Sequence, residues 1–482
     1  MKTVRLLPCL AAALMPAIGS LCQAQAPTDQ PNIIVLLCDD LGYGDLSCYG
    51  HPIIETPNLD RLADQGIRLT SCYSAAPVCS PSRVGLLTGR SPNRAGVYDW
   101  IPPANQQRPN LRDEVHLQAG EVTIPMVLRE SGYQTCLVGK WHCNSRFNSA
   151  AQPQPDSAGF DHWFATQNNA GPSHENPRNF VRNGEPVGPL TGFSAGLIVE
   201  EAIQWLGRAE AQRPFYLQVC FHEPHEPVAS PPDLVEKYRP KTRNEDEAQY
   251  CANVENVDRA VGRLTSYLSQ KGLSSNTLVV FTSDNGPETL NRYRNANRSY
   301  GSPGPLKGMK LWTSEAGFRV PGIIHWPAVI KQGLVSDRTV SSLDFLPTFC
   351  ALSGCPLPKR TLDGTDISGL LKGQGFVRSK PLLWCYYNAI NERRVALRSG
   401  DWKILAALQS QGQPLPKLTN IHAGNWPTVA EATLADFELY HLADLSETVE
   451  VSRVFPQRFA GMKRELEQHY RELLQDSHIW NR

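Results

Sequence analysis

Four short apolar runs constrain this chain most, because each reads as a buried strand and each runs straight into polar or ionisable residues. Ile33 to Leu37 leads to Asp39 and Asp40, and Thr135 to Val138 leads to Gly139-Lys140-Trp141-His142. Phe215 to Phe221 leads to His222-Glu223-Pro224-His225, and Leu278 to Thr282 leads to Asp284-Asn285-Gly286. Helical patterns separate the runs. The clearest sets Val254, Val257, Val261, Leu264 and Leu268 on one apolar stripe by alternating three- and four-residue steps. Strands and helices in this alternation predict an α/β unit with a large, mostly parallel central sheet flanked by helices. Ligands of such sheets bind beyond the carboxyl ends of the strands. Asp, Lys, His and Asn at four strand ends therefore predict one site assembled along one sheet edge.

The 482 residues leave room for more than one unit at roughly 150 residues per domain. Leu362-Asp363-Gly364 and a helix at Ile367 to Leu371 close the first unit, and Lys372 to Lys380 reads as a linker. Beyond it, Arg394 to Ile404, turning at Ser399-Gly400-Asp401, and Phe437 to Leu442 predict antiparallel strands, with Gln409 to Thr433 as a long loop. Phe459 to Leu474 reads as a closing amphipathic helix. At the other end, Lys2 and Arg5, the apolar stretch Leu6 to Leu21 and the small residues after it have the order of a secretory signal peptide. Pro27 disfavours a cut after Ala26, so cleavage is expected after Ala24. The expected organisation is thus a leader at 1–24, a catalytic α/β domain at 25–376 and a smaller C-terminal domain with an antiparallel sheet and a helix at 377–482, in a periplasmic or secreted protein. No other stretch approaches the length of a membrane span.

With 47 basic and 47 acidic side chains the net charge is zero, which excludes a broad nucleic-acid-binding surface and leaves any anionic ligand to a local cluster. Of the 13 cysteines, Cys9 and Cys22 fall in the leader. The others lack the close paired spacing of a zinc site and read as buried apolar residues with a few optional disulfides.

The sharpest motif is Cys79-Ser80-Pro81-Ser82-Arg83, followed by Leu86-Leu87-Thr88-Gly89-Arg90. Pro81 suits a first helical turn and Gly89 a C-terminal cap, which puts Cys79 at or just before a helix N-terminus. Free backbone N–H groups there favour an anion or a developing oxyanion. Asp39, Asp40, Asp284 and Asn285 form an all-oxygen set suited to a hard cation. Arg83, about one turn after Cys79, is placed to reach that residue, and Lys140, directly after a strand, to pair with an anionic oxygen.

In these motifs the chain resembles the formylglycine-dependent sulfatases of the alkaline phosphatase superfamily, of the bacterial glycan-degrading type. Further motifs carry the likeness over most of the length: Gly42-Tyr43-Gly44-Asp45, Thr56-Pro57-Asn58-Leu59-Asp60-Arg61-Leu62-Ala63, Lys307-Gly308 leading to Glu315, Arg319-Val320-Pro321, Arg398 to Lys403 and Glu438-Leu439-Tyr440. The resemblance implies that a maturation enzyme oxidises Cys79 to formylglycine, whose hydrate attacks the sulfur of a sulfate ester and then expels sulfate through its second hydroxyl. It implies calcium, with magnesium as the alternative, held by Asp39, Asp40, Asp284, Asn285 and the group made from Cys79. Lys140 and Lys307 are expected on sulfate oxygens, His222 as the acid for the leaving alcohol and His142 as the base in elimination. His225 is expected to touch the substrate or support His222, and His116 and His174 are candidates for the rim. Glu315-Ala316-Gly317-Phe318 and Cys143 depart from the family pattern at the pocket wall.

The expected substrate is a sulfated saccharide, with galactose or N-acetylgalactosamine units preferred. The loops Trp100 to Gln118, Asn144 to Pro189 and Pro287 to Pro305 are expected to form its pocket, since their Asn, Arg, His and Trp side chains suit hydroxyls and ring faces. Two other readings are a phosphomonoester or phosphonate hydrolase of the same superfamily, and a non-catalytic binder of sulfated glycans that keeps Cys79 as a thiol.

Overall fold

The computed structural model describes residues 30–481 apart from 106, 108, 211 and 332, so the expected leader lies outside the described residues. The main strands of the large sheet are Asn32–Asp39 (β1), Ile67–Tyr73 (β2), Gln134–Lys140 (β3), His162–Thr166 (β4), Phe215–Pro224 (β5), Thr277–Ser283 (β6) and Arg319–His325 (β7). Their order across the sheet is β2-β7-β6-β1-β5-β3-β4, with short strands at both edges. The four strands expected from the sequence, β6, β1, β5 and β3, are immediate neighbours and all parallel. Only β7 runs against its partners β6 and β2 among these strands, which makes the sheet mixed.

Both faces of β1 are buried, and its residues alternate between two cores. Ile33, Val35 and Leu37 pack on one side with Val84, Leu87, Phe345 and Phe349. Ile34, Leu36 and Cys38 pack on the other with Val254, Val257 and Val261, which project from the long helix Glu245–Gln270. A strand covered on both faces reads as continuous hydrophobic sequence, which is why these runs were legible. By contrast, β4 sits inside the stretch expected to be a pocket loop. It has only five residues and follows polar sequence, yet its Trp163, Phe164 and Ala165 are buried through parallel pairing with β3.

The second sheet comprises Leu382–Cys385 (β8), Arg393–Ser399 (β9), Trp402–Ser410 (β10) and Thr433–His441 (β11), antiparallel throughout. Helix Pro456–Gln475 covers it with Met462, Leu466, Tyr470 and Leu473. The segment expected as one long loop from Gln409 to Thr433 also holds a two-residue strand, Gln413–Pro414, and a short helix, Trp426–Ala430. The 11 described cysteines form no disulfide. No helix among the described residues is long and apolar enough to cross a membrane.

A buried ion cluster joins the two sheets. Lys403 on β10 pairs with Glu315 at 3.1 Å and with Glu447 at 2.9 Å, all fully enclosed, and Glu315 also holds Arg319 at 3.1 Å. Removing the lysine leaves two buried carboxylates without their shared cation, with Arg319 on Glu315 alone. Lys403→Met should therefore cost about 3–5 kcal/mol, read as a lower denaturation midpoint.

Candidate active site

The strand ends converge as the topology requires. At the end of β1, Asp39 and Asp40 are buried, and Asp40 has a φ of 62°. β3 ends at Lys140, and two residues later His142 has a φ of 53°. Leu311, next to Lys310, has a φ of 69°. Left-handed backbone in non-glycine residues is disfavoured and persists where packing enforces it, commonly at functional sites. Cys79 is the first residue of helix Cys79–Thr88, which is buried along its whole length and closes on Gly89 in the left-handed conformation.

Ligand atoms of Asp39, Asp40, Cys79 and His225 all lie within 4.8 Å of one another. Arg83 does not spend its donors on Cys79. Its Nε donates to Asp284 Oδ2 at 2.8 Å, with Nη2 in ion-pair contact with the same oxygen at 2.7 Å, and its Nη1 donates to the Lys140 carbonyl at 3.0 Å. Lys140 Nζ donates to Asp39 Oδ2, and Lys310 Nζ donates to Asp40 Oδ2 at 2.8 Å. The carboxylates are shifted in opposite directions: against burial, Lys140, His225 and Arg83 hold Asp39 well below its ordinary value, while Asp40 and Asp284 are raised. Burial pushes Asp40 up to about 6 despite Lys310, and burial with the charge of Asp39 pushes Asp284 up to about 7. Burial also pushes the Cys79 thiol up to about 12, against the pull of Lys310 and Lys140.

This donor set fits a hard cation. Asp39 Oδ1 and Asn285 Oδ1 are buried acceptors without a hydrogen-bond partner. The Asn285 amide is oriented for it, since Nδ2 donates to Asp40 Oδ1 at 2.6 Å and to the Gly286 carbonyl at 2.9 Å, leaving Oδ1 free. A cation at these oxygens satisfies the orphaned acceptors and relieves the repulsion among three carboxylates.

The site opens into a cavity of about 480 Å³ whose lining includes Cys79, Trp100, His142, Asn168, Asn169, His225, Lys310 and Asn388. Two expected assignments change here. Lys307 points away, its Nζ donating to the Glu447 carbonyl at 3.0 Å and lying 5.6 Å from the Tyr440 ring centre. Lys310, three residues on, is the buried lysine at the cavity. His222 is likewise not a lining residue. Its Nε2 meets Thr166 Oγ1 at 2.8 Å and its ring packs edge-on against Phe180. His225 faces the cavity instead, with Nε2 3.6 Å from Asp40 Oδ2 and Nδ1 2.7 Å from the Glu226 carbonyl. His174 is fully buried beside Asn253 and His116 packs on Trp480, so neither forms the rim. Nothing local in the sequence distinguishes the two lysines or the two histidines; the chain path after the strand does.

His142 Nε2 lies 3.0 Å from the Ile101 carbonyl, so that nitrogen carries the hydrogen, and Nδ1 has no partner. Burial holds His142 well below its ordinary value, and Lys140 and Arg83 reinforce this, leaving a neutral imidazole with a bare nitrogen. Burial and Lys310 lower His225 to about 4, while Glu226 and Asp39 oppose the shift. All three expected pocket loops contribute, through Trp100, Asn168 and Tyr293 among others. Tyr386 and Asn388, which follow β8, complete a wall that sequence reading did not anticipate.

A mostly parallel α/β sheet carrying a buried carboxylate cluster, two lysines and two histidines around a helix-start Cys fits a hydrolase of anionic esters. The comparisons with known proteins give the particular family. The pattern described as Sulfatase matches residues 31–355, and the one described as N-sulphoglucosamine sulphohydrolase, C-terminal, matches 309–411. Human arylsulfatase A is 36% identical over 402 residues, 77% of this chain and 74% of the relative. N-acetylgalactosamine-6-sulfatase of Canis lupus familiaris is 36% identical over 420 residues, 83% of this chain and 74% of the relative. The crystal structure of Ps i-CgsB, solved alone and with k-i-k-neocarrahexaose, superposes with a TM-score of 0.76 at 28% identity, covering 94% of this chain and 95% of that one. The chain belongs to the sulfatase family and is a sulfuric ester hydrolase.

Proposed function

We propose that the protein desulfates carbohydrate sulfate esters, with formylglycine made from Cys79 by a maturation enzyme and with a calcium ion held by Asp39, Asp40, Asp284 and Asn285. The observation that carries this reading is the convergence of Cys79, the orphaned oxygens of Asp39 and Asn285, and Lys310 at the base of one cavity. When bound, the cation supplies charge that favours an ionised hydroxyl at residue 79 and draws off negative charge from the ester. Arg83 fixes Asp284 in place through a hydrogen bond and an ion pair and ties it to the end of β3. Lys140 and Lys310 bind the outer oxygens of the sulfate and offset charge that grows in the transition state. His142 Nδ1 accepts a proton from a hydroxyl at residue 79. His225, steadied through its Nδ1 by the Glu226 carbonyl, delivers a proton from Nε2 to the leaving oxygen. Its burial lowers its proton affinity, and an anionic ester alongside restores it.

The saccharide part rests on the amide- and aromatic-lined cavity, on relatives named N-acetylgalactosamine-6-sulfatase and on a structural neighbour solved with k-i-k-neocarrahexaose. The N-terminal sequence, with the order expected of a leader, supports a secreted or periplasmic site of action. Sulfate release from saccharide sulfates should far exceed phosphate release from matched phosphomonoesters, and dominant phosphate release would reverse the assignment. Dialysis against a chelator should abolish turnover and calcium should restore it; full turnover in demonstrably metal-free protein contradicts the cation's role. Lys310→Ala should lower kcat/KM by about 10²–10³. Lys307→Ala, at a surface contact with Tyr440, should stay within a few-fold of wild type, and a reversed order would return Lys307 to the site.

A further inference from the structure

Exposed aromatic rings are scarce on this protein and gather at the active-site cavity. Among the exposed large hydrophobic side chains of the described residues only Trp100, Tyr293 and Phe455 are aromatic, and the first two line the cavity at 38% exposure each. They come from separate loops and so form separate surfaces. One guanidinium braces each ring: Arg112 lies 4.8 Å from the Trp100 ring centre and Arg292 lies 4.9 Å from that of Tyr293. The braces are themselves anchored. Arg292 makes two hydrogen bonds of 2.7 Å to Glu288, and Arg112 reaches toward buried Asp99 at 3.9 Å. Asp99 also accepts from Tyr386 Oη and Asn388 Nδ2, both at 2.9 Å, which ties the Trp100 loop to the wall after β8.

A flat ring held rigid at a polar mouth is a stacking face for the C–H side of a pyranose, with little ordering cost on binding. Amides serve the hydroxyl edge, and Asn168 Oδ1 is a buried acceptor without a partner. The sulfate group itself belongs deep, at Cys79, Lys140 and Lys310, where neither aromatic ring is needed. On the sulfatase reading above, we infer that the site takes an oligosaccharide rather than a single sulfated sugar, with Trp100 and Tyr293 stacking two residues that flank the one bearing the cleaved ester. Binding energy gathered on the flanking sugars then raises the rate at the sulfur.

The test compares kcat/KM on galactose 4-sulfate, galactose 6-sulfate and N-acetylgalactosamine 6-sulfate, each as the free sugar and within a tetrasaccharide, beside 4-nitrophenyl sulfate. For the sugar turned over best, wild-type protein should favour the tetrasaccharide by tenfold or more. Trp100→Ala and Tyr293→Ala should each bring that ratio toward one, while Trp100→Phe and Tyr293→Phe, which keep a ring, retain most of it. Both rings are solvent-facing, so folded variants are expected, checked by unchanged melting. A wild-type ratio near one, a ratio unmoved in either alanine variant, or sulfate released from the aryl ester but from no saccharide overturns the inference. Release from no ester at all overturns the sulfatase reading, and this inference with it.

Discussion

Cys79→Ala is expected to lower kcat by on the order of 10⁴–10⁶, the scale of losing a nucleophile, while the protein keeps its melting temperature within a few degrees. The side chain is 2% exposed and opens a helix that is buried throughout, so its surroundings are set by packing that the substitution leaves in place. Removing the one buried sulfur and leaving the alanine methyl costs about 0.5–1.5 kcal/mol, the scale of deleting a single buried heavy atom. The reason for the catalytic loss is chemical. Burial keeps the thiol protonated near neutral pH, and even an ionised thiolate offers a single nucleophilic atom with no second hydroxyl to expel sulfate. Cys79→Ser, with one hydroxyl, should also fail by orders of magnitude. Wild-type protein made without the maturation enzyme should behave like Cys79→Ser. Sulfate release measured together with the mass of the peptide containing Cys79 checks all three. Full turnover from protein whose Cys79 is uniformly a thiol would refute the modification.

What the sequence disclosed and what it hid divide along physical lines. The four parallel strands were legible because both of their faces are buried, which writes unbroken apolar runs, and because ligand-bearing residues follow each run at once. Asp39, Asp40, Lys140, Asp284 and Asn285 therefore lie where strand ends alone place them. The helix at Cys79 was legible from its own ends, Pro81 in the first turn and Gly89 at the cap. β4 escaped because five residues carry no period, and its burial depends on β3 beside it. Lys307 and Lys310 could not be separated because both sit in one Gly- and Pro-rich loop, whose path is fixed by contacts made far away in sequence. Lys307 is drawn to Glu447 and Tyr440, and Lys310 to Asp40. The wall at Tyr386 and Asn388 was hidden for the same reason, since only the packing of the second sheet against the first brings it to the cavity.

The two histidines at the end of β5, His222 within the strand and His225 just after it, make the sharpest separation available by kinetics. His225→Ala should reduce kcat/KM on a sugar sulfate by about 10²–10⁴, the usual contribution of a general acid, and by far less on 4-nitrophenyl sulfate. An alkoxide leaving group needs its proton as the S–O bond breaks, whereas nitrophenolate departs without one, so the deficit should shrink as the leaving group becomes more acidic. His222→Ala acts differently. Its imidazole is buried between Thr166 and Phe180 and is not part of the cavity lining, so the loss is expected through displacement of β5 and the turn that carries His225. Such a loss should fall equally on both esters and should be accompanied by lower thermal stability. A leaving-group dependence that appears in His222→Ala and is absent in His225→Ala would move the acid back to His222 and require the turn between them to rearrange when substrate binds. The expected pattern instead leaves the proton on the one histidine whose Nε2 looks into the cavity, 3.6 Å from Asp40, with its other nitrogen fixed by a backbone carbonyl.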